Sequence, residues 1–259
     1  LASPFPLAEP KDENELIRPA VEGTLRVMAA SVAAGVERFI QTSSTASIMY
    51  GHEGTRTLAF TEDDWTNVNG AHVTAYAKSK TLAEKAARQF ASGEGKSLYY
   101  ASVNPGFVLG PLMDRDAGSS ADAIAMFLKG KYPGCPRLNF PCVDVRDVAK
   151  VQRLALESGN ATGARYVAVT GSAWFKDMMV PIKESLGAAA RRVPTRDLPD
   201  ILIKLIALFD KSARAVVPDL GVEYRIDNAR TRKALGVEFI PVREAAVAMA
   251  CSLVELKLV

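Results

Sequence analysis

The sequence has little cysteine or histidine and no long apolar run. It contains 3 cysteines and 2 histidines, and the cysteines form no paired motif of the kind that binds zinc. Such a sparse, odd set is typical of reduced thiols, so we expect a cytoplasmic protein without disulfides or a metal site. The longest apolar stretch, Ile201 to Phe209, is interrupted by Lys204 and is too short to cross a bilayer, which predicts no membrane partner.

A strong charge of either sign is also absent. Lys and Arg total 32 against 29 for Asp and Glu, so the formal net charge is only +3. A small, scattered excess of positive charge argues against a nucleic-acid partner. The 259 residues, 48% of them hydrophobic and 24% charged, indicate a folded globular chain that is long enough for one large α/β domain.

A glycine-rich phosphate-binding loop is missing as well. No G-x-G-x-x-G occurs in the sequence, and the nearest candidate, Gly93-Glu94-Gly95, has Leu98 where the third glycine would stand. That candidate also follows a predicted helix rather than a strand. The part of a nucleotide site that holds a pyrophosphate at a helix N-terminus is therefore not recognisable here.

The residues that are present alternate between helix and strand patterns. A stripe of apolar residues predicts a helix over about 12–35, regular only from about Arg18 because Pro19 is tolerated in a first turn. Strands are predicted at 38–42 and 97–106, with a helix over about 74–91 between them. This order predicts an α/β fold with a parallel sheet covered by helices. Later helices are predicted at about 121–129, 174–186, 198–211 and 242–256.

Tyr76 and Lys80 stand four residues apart on one face of the predicted helix over 74–91. A phenol is a poor acid or base near neutral pH, but a nearby ammonium stabilises the phenolate and lowers its pKa. Such a pair can exchange a proton with a substrate alcohol or carbonyl while hydride moves to or from a nicotinamide. The spacing is common by chance, so a solvated surface pair is the alternative.

Small and polar residues follow both predicted strands. Thr42, Ser43 and Ser44 follow the first strand, and Pro105 and Gly106 follow the second. The ligand crevice of an open parallel sheet lies outside such strand ends. A hydroxyl there can bind the same substrate oxygen as the phenol, and a Pro-Gly backbone can approach a flat ring closely. The alternatives are a capping serine and an ordinary turn.

Seven segments together carry a family resemblance. In chain order they are ASPF, IRPAVEGTLRVM, RFIQTSS, FTEDDW, YAKSKTLAEKAA, VNPGFVLGP and CVDVRDVA, from Ala2 to about Ala149. With them the chain resembles the extended short-chain dehydrogenase/reductases, within the NAD-dependent epimerase/dehydratase superfamily. The most similar branch is that of dihydroflavonol reductases, cinnamoyl-CoA reductases and yeast-type aldehyde/ketone reductases.

The resemblance implies a fold and an activity. It implies a Rossmann-like, doubly wound NAD(P)-binding domain, about residues 1–112 and 141–170, with a smaller, mostly helical substrate-binding region, about 113–140 and 171–259. It also implies an oxidoreductase that interconverts a carbonyl and an alcohol, with NADP preferred to NAD. A nucleotide-sugar epimerase or dehydratase and a non-catalytic nucleotide-sensing protein remain the alternatives.

The resemblance assigns site residues by position. Tyr76 is the general acid/base, Lys80 holds the nicotinamide ribose and tunes Tyr76, and Ser44 orients the substrate oxygen, with Ser43 the second choice. The implied cofactor contacts are Ala2, Ser3, Thr42, Tyr76, Lys80, Pro105 and Gly106.

The resemblance also implies a longer protein and a partner. Because family members open with a strand and a glycine-rich turn, we expect roughly 60–80 residues to precede Leu1. We expect this chain alone to bind NADPH weakly or not at all, to be inactive and to tend to aggregate. The helices over about 18–34 and 75–90 resemble a pair that forms a dimer interface, which implies a homodimer.

Overall fold

The protein alternates helices and strands throughout. The computed structural model describes residues 10–52, 57–116, 118–159, 162–209 and 211–259. In chain order the elements are α1 (Asn14–Ala33), β1 (Arg38–Thr42), α2 (Ala75–Ser92), β2 (Tyr99–Pro105), β3 (Phe107–Leu109), α3 (Ser119–Leu128), β4 (Asn139–Asp144), α4 (Val145–Glu157), β5 (Ala164–Ala168), β6 (Gly171–Trp174), α5 (Phe175–Leu186), α6 (Asp200–Ile206), α7 (Lys211–Val216), α8 (Ala229–Leu235) and α9 (Val242–Glu255). The α/β class predicted from the sequence is confirmed.

The chain divides into two compact units. The first unit comprises residues 1–106, 148–168 and 226–238, and the second comprises 107–147, 169–225 and 239–259. The segment 226–238, which contains α8, belongs to the first unit, whereas the sequence placed it in the substrate-binding region. The roles of the two units in binding cofactor and substrate stay predictions.

A parallel three-stranded sheet forms the centre of the first unit. Its strand order is β1-β2-β5, with Thr42 opposite Val103 and Val103 opposite Tyr166. The parallel sheet predicted from the alternation of elements is thereby confirmed. Among the residues that the structure describes, no strand pairs with the other edge of β1.

Helices cover both faces of this sheet. The hydroxyl of Thr42 accepts a hydrogen bond of 2.8 Å from Nε2 of Gln152 in α4. The hydroxyl of the next residue, Ser43, donates one of 2.5 Å to Oε2 of Glu84 in α2. Because successive side chains of an extended chain point to opposite faces, α2 and α4 lie on opposite sides of the sheet. The sheet is therefore doubly wound.

Helix α1 is regular from an earlier residue than the sequence predicts. It starts at Asn14, so Pro19 lies inside the helix and the predicted regular start near Arg18 is wrong. The reason is local, because Oδ1 of Asp12 accepts the backbone N–H of Asn14 at 3.0 Å. This contact satisfies an otherwise unpaired amide of the first turn and starts the helix one turn before the proline.

The second unit contains a sheet that the sequence did not predict. Strands β3 and β4 pair in parallel and β4 and β6 pair antiparallel, in the order β3-β4-β6. Helices α3, α5 and α9 contribute to one buried apolar core with this sheet. Strand β3 and the end of β4 lie in the ranges that the resemblance assigned to the Rossmann-like domain, and β6 lies in the range of the substrate-binding region.

The most apolar stretch of the sequence, Ile201 to Phe209, lies mostly in the short helix α6. The helix predicted over about 198–211 is wrong in extent, because α6 ends at Ile206 and α7 begins at Lys211. Across the described ranges, no helix combines the length and the apolar character that crossing a membrane requires.

All three cysteines are free thiols, and two of them are buried. The thiol of Cys142 donates to the carbonyl oxygen of Phe140 at 3.2 Å. Burial raises its pKa from the usual 9.0 to about 12. Between these two pH values the folded protein holds a proton that the unfolded chain has lost. The contribution to stability is therefore complete below pH 9 and is lost as the pH rises toward 12.

We expect Cys142→Ala to flatten the alkaline decline of stability. Wild type should lose about 1.4 kcal/mol per pH unit from this thiol in that window, whereas the variant should start less stable at pH 7 but fall less steeply. Urea midpoints at pH 7, 9 and 10.5 measure the two slopes. Cys251→Ala, at a half-buried thiol, is the matched control. Equal slopes for wild type and Cys142→Ala would contradict the prediction.

Candidate active site

Helix α2 presents three polar side chains on one face. The helix begins where the hydroxyl of Thr74 accepts the backbone N–H of Ala77 at 3.2 Å, a typical N-cap. Beyond this cap, Tyr76, Lys80 and Glu84 follow at intervals of four residues. Side chains at this interval lie above one another along a helix, so α2 aligns a phenol, an ammonium and a carboxylate.

The end of β1 brings a serine hydroxyl to this face. The backbone N–H of Ser43 donates to the carbonyl oxygen of Val103 at 2.8 Å, which extends the ladder with β2 by one residue. Ser44 then caps a short 3-10 helix over Thr45–Ser47, and its Oγ accepts the N–H of Ala46 at 3.1 Å. The chain turns here, at the carboxyl end of a parallel strand, where ligands of such sheets bind.

The structure brings Ser44, Tyr76 and Lys80 together. The side chains of Ser44 and Tyr76 are hydrogen-bonded to each other. The Nζ atom of Lys80 lies 5.6 Å from the centroid of the Tyr76 ring. Of the two candidate serines, Ser44 is the one in contact with the phenol. The hydroxyl of Ser43 points instead toward Glu84.

Burial dominates the ionisation of both residues on α2. Burial raises the pKa of Tyr76 above its ordinary 10.0, and the hydrogen bond with Ser44 offsets only part of that rise. Burial also lowers the pKa of Lys80. The sequence led us to expect a lowered pKa for the phenol, and this direction is wrong. The physical reason is that the free energy lost when the phenolate is removed from water is larger than the free energy gained from its polar contacts.

The Pro-Gly pair lies at the same edge of the sheet as Ser44. Pro105 is buried and pairs with Ala168 of β5, whose carbonyl oxygen accepts the N–H of Gly106 at 3.1 Å. In addition, Nδ2 of Asn104 donates to the carbonyl oxygen of Ser44 at 3.3 Å. The ends of β1 and β2 are thus joined directly. The contact of Pro105 and Gly106 with a cofactor stays a prediction.

Of the remaining predicted cofactor contacts, the structure describes only Thr42. Thr42 faces α4, where its hydroxyl is engaged by Gln152. Ala2 and Ser3 lie outside the described residues. Their contacts with a cofactor therefore stay predictions.

Below Lys80, the Glu84 carboxylate is the centre of a buried hydrogen-bond network. Its side chain is fully buried, with 0% exposure. Five donors reach its two oxygens: Nε of Arg165 at 2.6 Å and Oγ of Ser102 at 2.9 Å on Oε1, and Oγ of Ser43 at 2.5 Å, Oγ of Ser47 at 2.8 Å and Nδ2 of Asn104 at 2.8 Å on Oε2. We call these six residues the Glu84 cluster.

Arg165 links the Glu84 cluster to the polar loop before α2. Its Nη1 donates to the carbonyl oxygens of Glu62 and Asp64, at 2.7 Å each. Its guanidinium lies 3.9 Å from the centroid of the Trp65 ring, within the range of a cation–π contact. Burial raises the pKa of Glu84, but Arg165 and the neighbouring hydroxyls outweigh that cost and hold it below its ordinary value. The cluster thus contains a stable buried ion pair.

Comparison with known proteins identifies the family. The model of the NAD dependent epimerase/dehydratase family matches residues 2–168. The chain belongs to this family. The matched range includes Ser44, Tyr76, Lys80 and the whole Glu84 cluster.

Relatives within the epimerase/dehydratase family include reductases. Ketoreductase azaE of Aspergillus niger is 30% identical over 251 residues, covering 92% of this chain and 69% of that protein. Cinnamoyl-CoA reductase CAD2 of Medicago truncatula is 32% identical over 187 residues, 71% of this chain and 56% of that protein. The crystal structure of yeast methylglyoxal/isovaleraldehyde reductase Gre2 with NADPH superposes with a TM-score of 0.77 at 25% identity, over 99% of this chain and 75% of that one. The predicted branch of the family is confirmed.

The donors at this site fit the NAD(P) cofactor of the epimerase/dehydratase family. Lys80 is largely buried, and desolvation alone shifts its pKa. Within the described ranges, no carboxylate forms a salt bridge with it. A buried ammonium without a counter-ion has donors to offer, and the hydroxyl groups of a ribose are suitable acceptors. The chemistry of the site therefore agrees with the family.

Sequence reasoning missed Glu84 and Arg165. One signal was available, because Glu84 interrupts the stripe of small residues that α2 buries, including Ala77 and Ala87. A second was Arg165, a charged residue within an otherwise apolar strand pattern. A charge at a core position of a helix and another within a buried strand together predict a buried pair.

Proposed function

We propose that this protein is an NADP(H)-dependent oxidoreductase that interconverts a carbonyl and an alcohol through Ser44, Tyr76 and Lys80. The observation that carries the proposal is the hydrogen bond between Ser44, at the end of β1, and Tyr76, on the face of α2 that also holds Lys80. At the coarser level, the chain is an NAD(P)-dependent reductase of the epimerase/dehydratase family. The particular residues and the choice of NADP are the proposal.

Tyr76 acts as the proton donor to the carbonyl oxygen. Because its pKa is raised, the phenol keeps its proton at neutral pH, which is the form that carbonyl reduction requires. The hydroxyl of Ser44 donates to the same substrate oxygen and so holds it beside the phenol. A positioned general acid of this kind accelerates a reaction by about 10²–10⁴-fold.

Lys80 serves both the cofactor and the phenol. When bound, the nicotinamide cofactor supplies the hydride. The ammonium of Lys80 holds the nicotinamide ribose and, after Tyr76 has given up its proton, stabilises the phenolate by its charge. Because the ammonium is largely buried, this attraction is screened less than it would be at the surface.

Two comparisons support the choice of cofactor and substrate class. The Gre2 structure, which superposes at a TM-score of 0.77, contains NADPH. The relatives with sequence similarity act, by their names, as a ketoreductase and a cinnamoyl-CoA reductase. We therefore assign NADP(H) in preference to NAD(H), and aldehydes or ketones as substrates.

Turnover with purified full-length protein tests the proposal. We expect NADPH oxidation with aldehydes or ketones, weaker turnover with NADH, and none with UDP- or dTDP-sugars. The measurement is the loss of absorbance of the reduced nicotinamide across a panel of such substrates. Conversion of a nucleotide sugar without net oxidation of NADPH would instead support an epimerase or dehydratase of the same family.

Assembly and location stay predictions. A homodimer through α1 and α2 and a cytoplasmic location were expected from the sequence. In the structure α1 packs against α2, as a helical interface of that kind requires. Light scattering of the full-length protein measures the oligomeric state.

A further inference from the structure

The backbone around Ser44 is held by groups that converge on one atom. The carbonyl oxygen of Ser44 accepts from Nδ2 of Asn104 at 3.3 Å and lies 2.8 Å from Oγ of Ser47, whose single proton binds only one acceptor at a time. Both of these donors also contact Oε2 of Glu84, each at 2.8 Å. The residue before Ser44, Ser43, donates its hydroxyl to the same oxygen at 2.5 Å. Three side chains next to Ser44, those of Ser43, Ser47 and Asn104, thus meet at Oε2 of Glu84.

Glu84 and Tyr76 are parts of the same helix. They lie eight residues apart on one face of α2, a separation of about 12 Å along the axis. One end of that face carries the phenol, and the other end carries the carboxylate to which the Ser44 turn is tied. Helix α2 therefore connects the phenol directly to the carboxylate that holds the Ser44 turn.

We propose that Glu84 is a positioning residue that places the Ser44 hydroxyl against Tyr76 by tying the turn over residues 43–47 to α2. This inference rests on the proposed function, because it concerns the geometry of the same site. Glu84 itself touches neither substrate nor cofactor in this proposal. Its effect on catalysis passes through Ser44.

The negative charge of Glu84 is what makes these ties strong. Hydrogen bonds to an ionised acceptor are shorter and about twice as strong as neutral ones. Arg165 compensates the charge on the other oxygen, at 2.6 Å from Oε1, and leaves Oε2 to the three donors of the turn and of β2. A glutamine at position 84 would have an NH2 group in place of one carboxylate oxygen. That NH2 group can only donate, and it would face neighbours that themselves donate to Glu84.

The test compares Glu84→Gln with Ser44→Ala and with the double variant in the full-length protein. We expect Glu84→Gln to lower kcat by about 10- to 100-fold, the size of effect that a displacement on the order of 1 Å produces, with NADPH affinity kept. In the Ser44→Ala background the same substitution should lower kcat no further. A residue that only supported the fold would lower kcat equally in both backgrounds. That additive result would overturn the proposal, as would an unchanged kcat in Glu84→Gln.

Glu62→Gln is the matched control. Glu62 is also a buried carboxylate of the first unit, 4% exposed, and its Oε1 accepts from Oγ1 of Thr231 at 3.0 Å. Its side chain makes no described contact with the turn over residues 43–47. We expect Glu62→Gln to reduce stability with kcat unchanged. A loss of kcat there as large as in Glu84→Gln would show that any buried carboxylate gives the effect, and it would refute the specific role.

A second variant decides the matter if Glu84→Gln does not fold. Ser47→Ala removes the hydroxyl that lies 2.8 Å from both Oε2 of Glu84 and the carbonyl oxygen of Ser44, and it keeps the pair of Glu84 with Arg165. It should lower kcat several-fold in the wild-type background and not in Ser44→Ala, and equal losses in both would refute the tie. The proposed function has its own readout, because only its failure leaves Tyr76→Phe fully active.

Discussion

Replacing Tyr76 with Phe is expected to lower kcat by on the order of 10³-fold while NADPH affinity is nearly kept. The substitution removes the proton that the phenol would donate and leaves the ring in place, together with its position 5.6 Å from Nζ of Lys80. Steady-state kinetics gives kcat, and isothermal calorimetry with NADPH gives the affinity, both on the full-length protein. A loss confined to kcat indicates an interaction made in the transition state.

Tyr99→Phe is the matched control for this experiment. Tyr99 lies at the start of β2, and its hydroxyl contacts Oγ of Ser158 at 3.2 Å. Removing that hydroxyl should leave kcat unchanged. If Tyr76→Phe also retained full turnover, Tyr76 would not be the acid, and another proton donor would be required. If neither wild type nor variant turned over carbonyl substrates although both bound nucleotide, the sensing alternative would be favoured.

Replacing Arg165 with Met is expected to destabilise the first unit by about 3–5 kcal/mol, because it leaves the buried carboxylate of Glu84 without its counter-ion. Arg165 is 7% exposed and Glu84 is 0% exposed, so water cannot easily take the place of the guanidinium. The measurement is hydrogen exchange of peptides from α2 and β5, which reports the opening free energy of this unit separately from the other.

A control and a double variant make the result specific. Arg153→Met removes an arginine of α4 that pairs with Glu157 at 2.7 Å on the surface, and it should change stability by less than about 0.5 kcal/mol. Adding Glu84→Gln to Arg165→Met removes the uncompensated charge and should restore part of the loss, with a coupling of about 1–3 kcal/mol. Strict additivity of the two substitutions would contradict a direct interaction.

The ion pair of Glu84 with Arg165 also determines how the stability of the first unit changes at acidic pH. The pKa of Glu84 lies below its ordinary value of 4.5 in the folded protein. The stabilisation is therefore present above that ordinary value and is lost as the pH falls through the lower, folded value. Arg165→Met should lose less stability on acidification than wild type does.

The local sequence pattern was sufficient to predict the helix and the strand that carry the site. The amphipathic pattern predicted α2, observed over Ala75–Ser92, and the β-rich run predicted β1 within its observed bounds. In contrast, β3 and β6 have three and four residues, too few for an alternating pattern to be recognised. Helix α8 was missed because only Thr231 among its residues is buried, so no apolar stripe marks it.

The chemistry of the site could be predicted only in part from the sequence. Spacing along α2 brought out Tyr76 and Lys80, and the place of Glu84 among the small residues that α2 buries marks it as a core position, but does not identify the residue that it contacts. The partner that neutralises Glu84 is 81 residues away along the chain. The direction of the Tyr76 pKa was also out of reach, because it depends on how deeply tertiary packing buries the phenol.

The convergence of five donors on one carboxylate has a consequence for how this protein can be altered by mutation. Loss of one hydroxyl, such as that of Ser43 or Ser102, leaves the Glu84 carboxylate with fewer hydrogen bonds. The loss of stability caused by removing a second donor then differs from its value in the intact cluster. Libraries that vary these positions singly will therefore record each as intolerant. Sequences that dispense with the cluster are reached only by changing Glu84, Arg165 and their donors together, so this part of the chain is expected to evolve as a block.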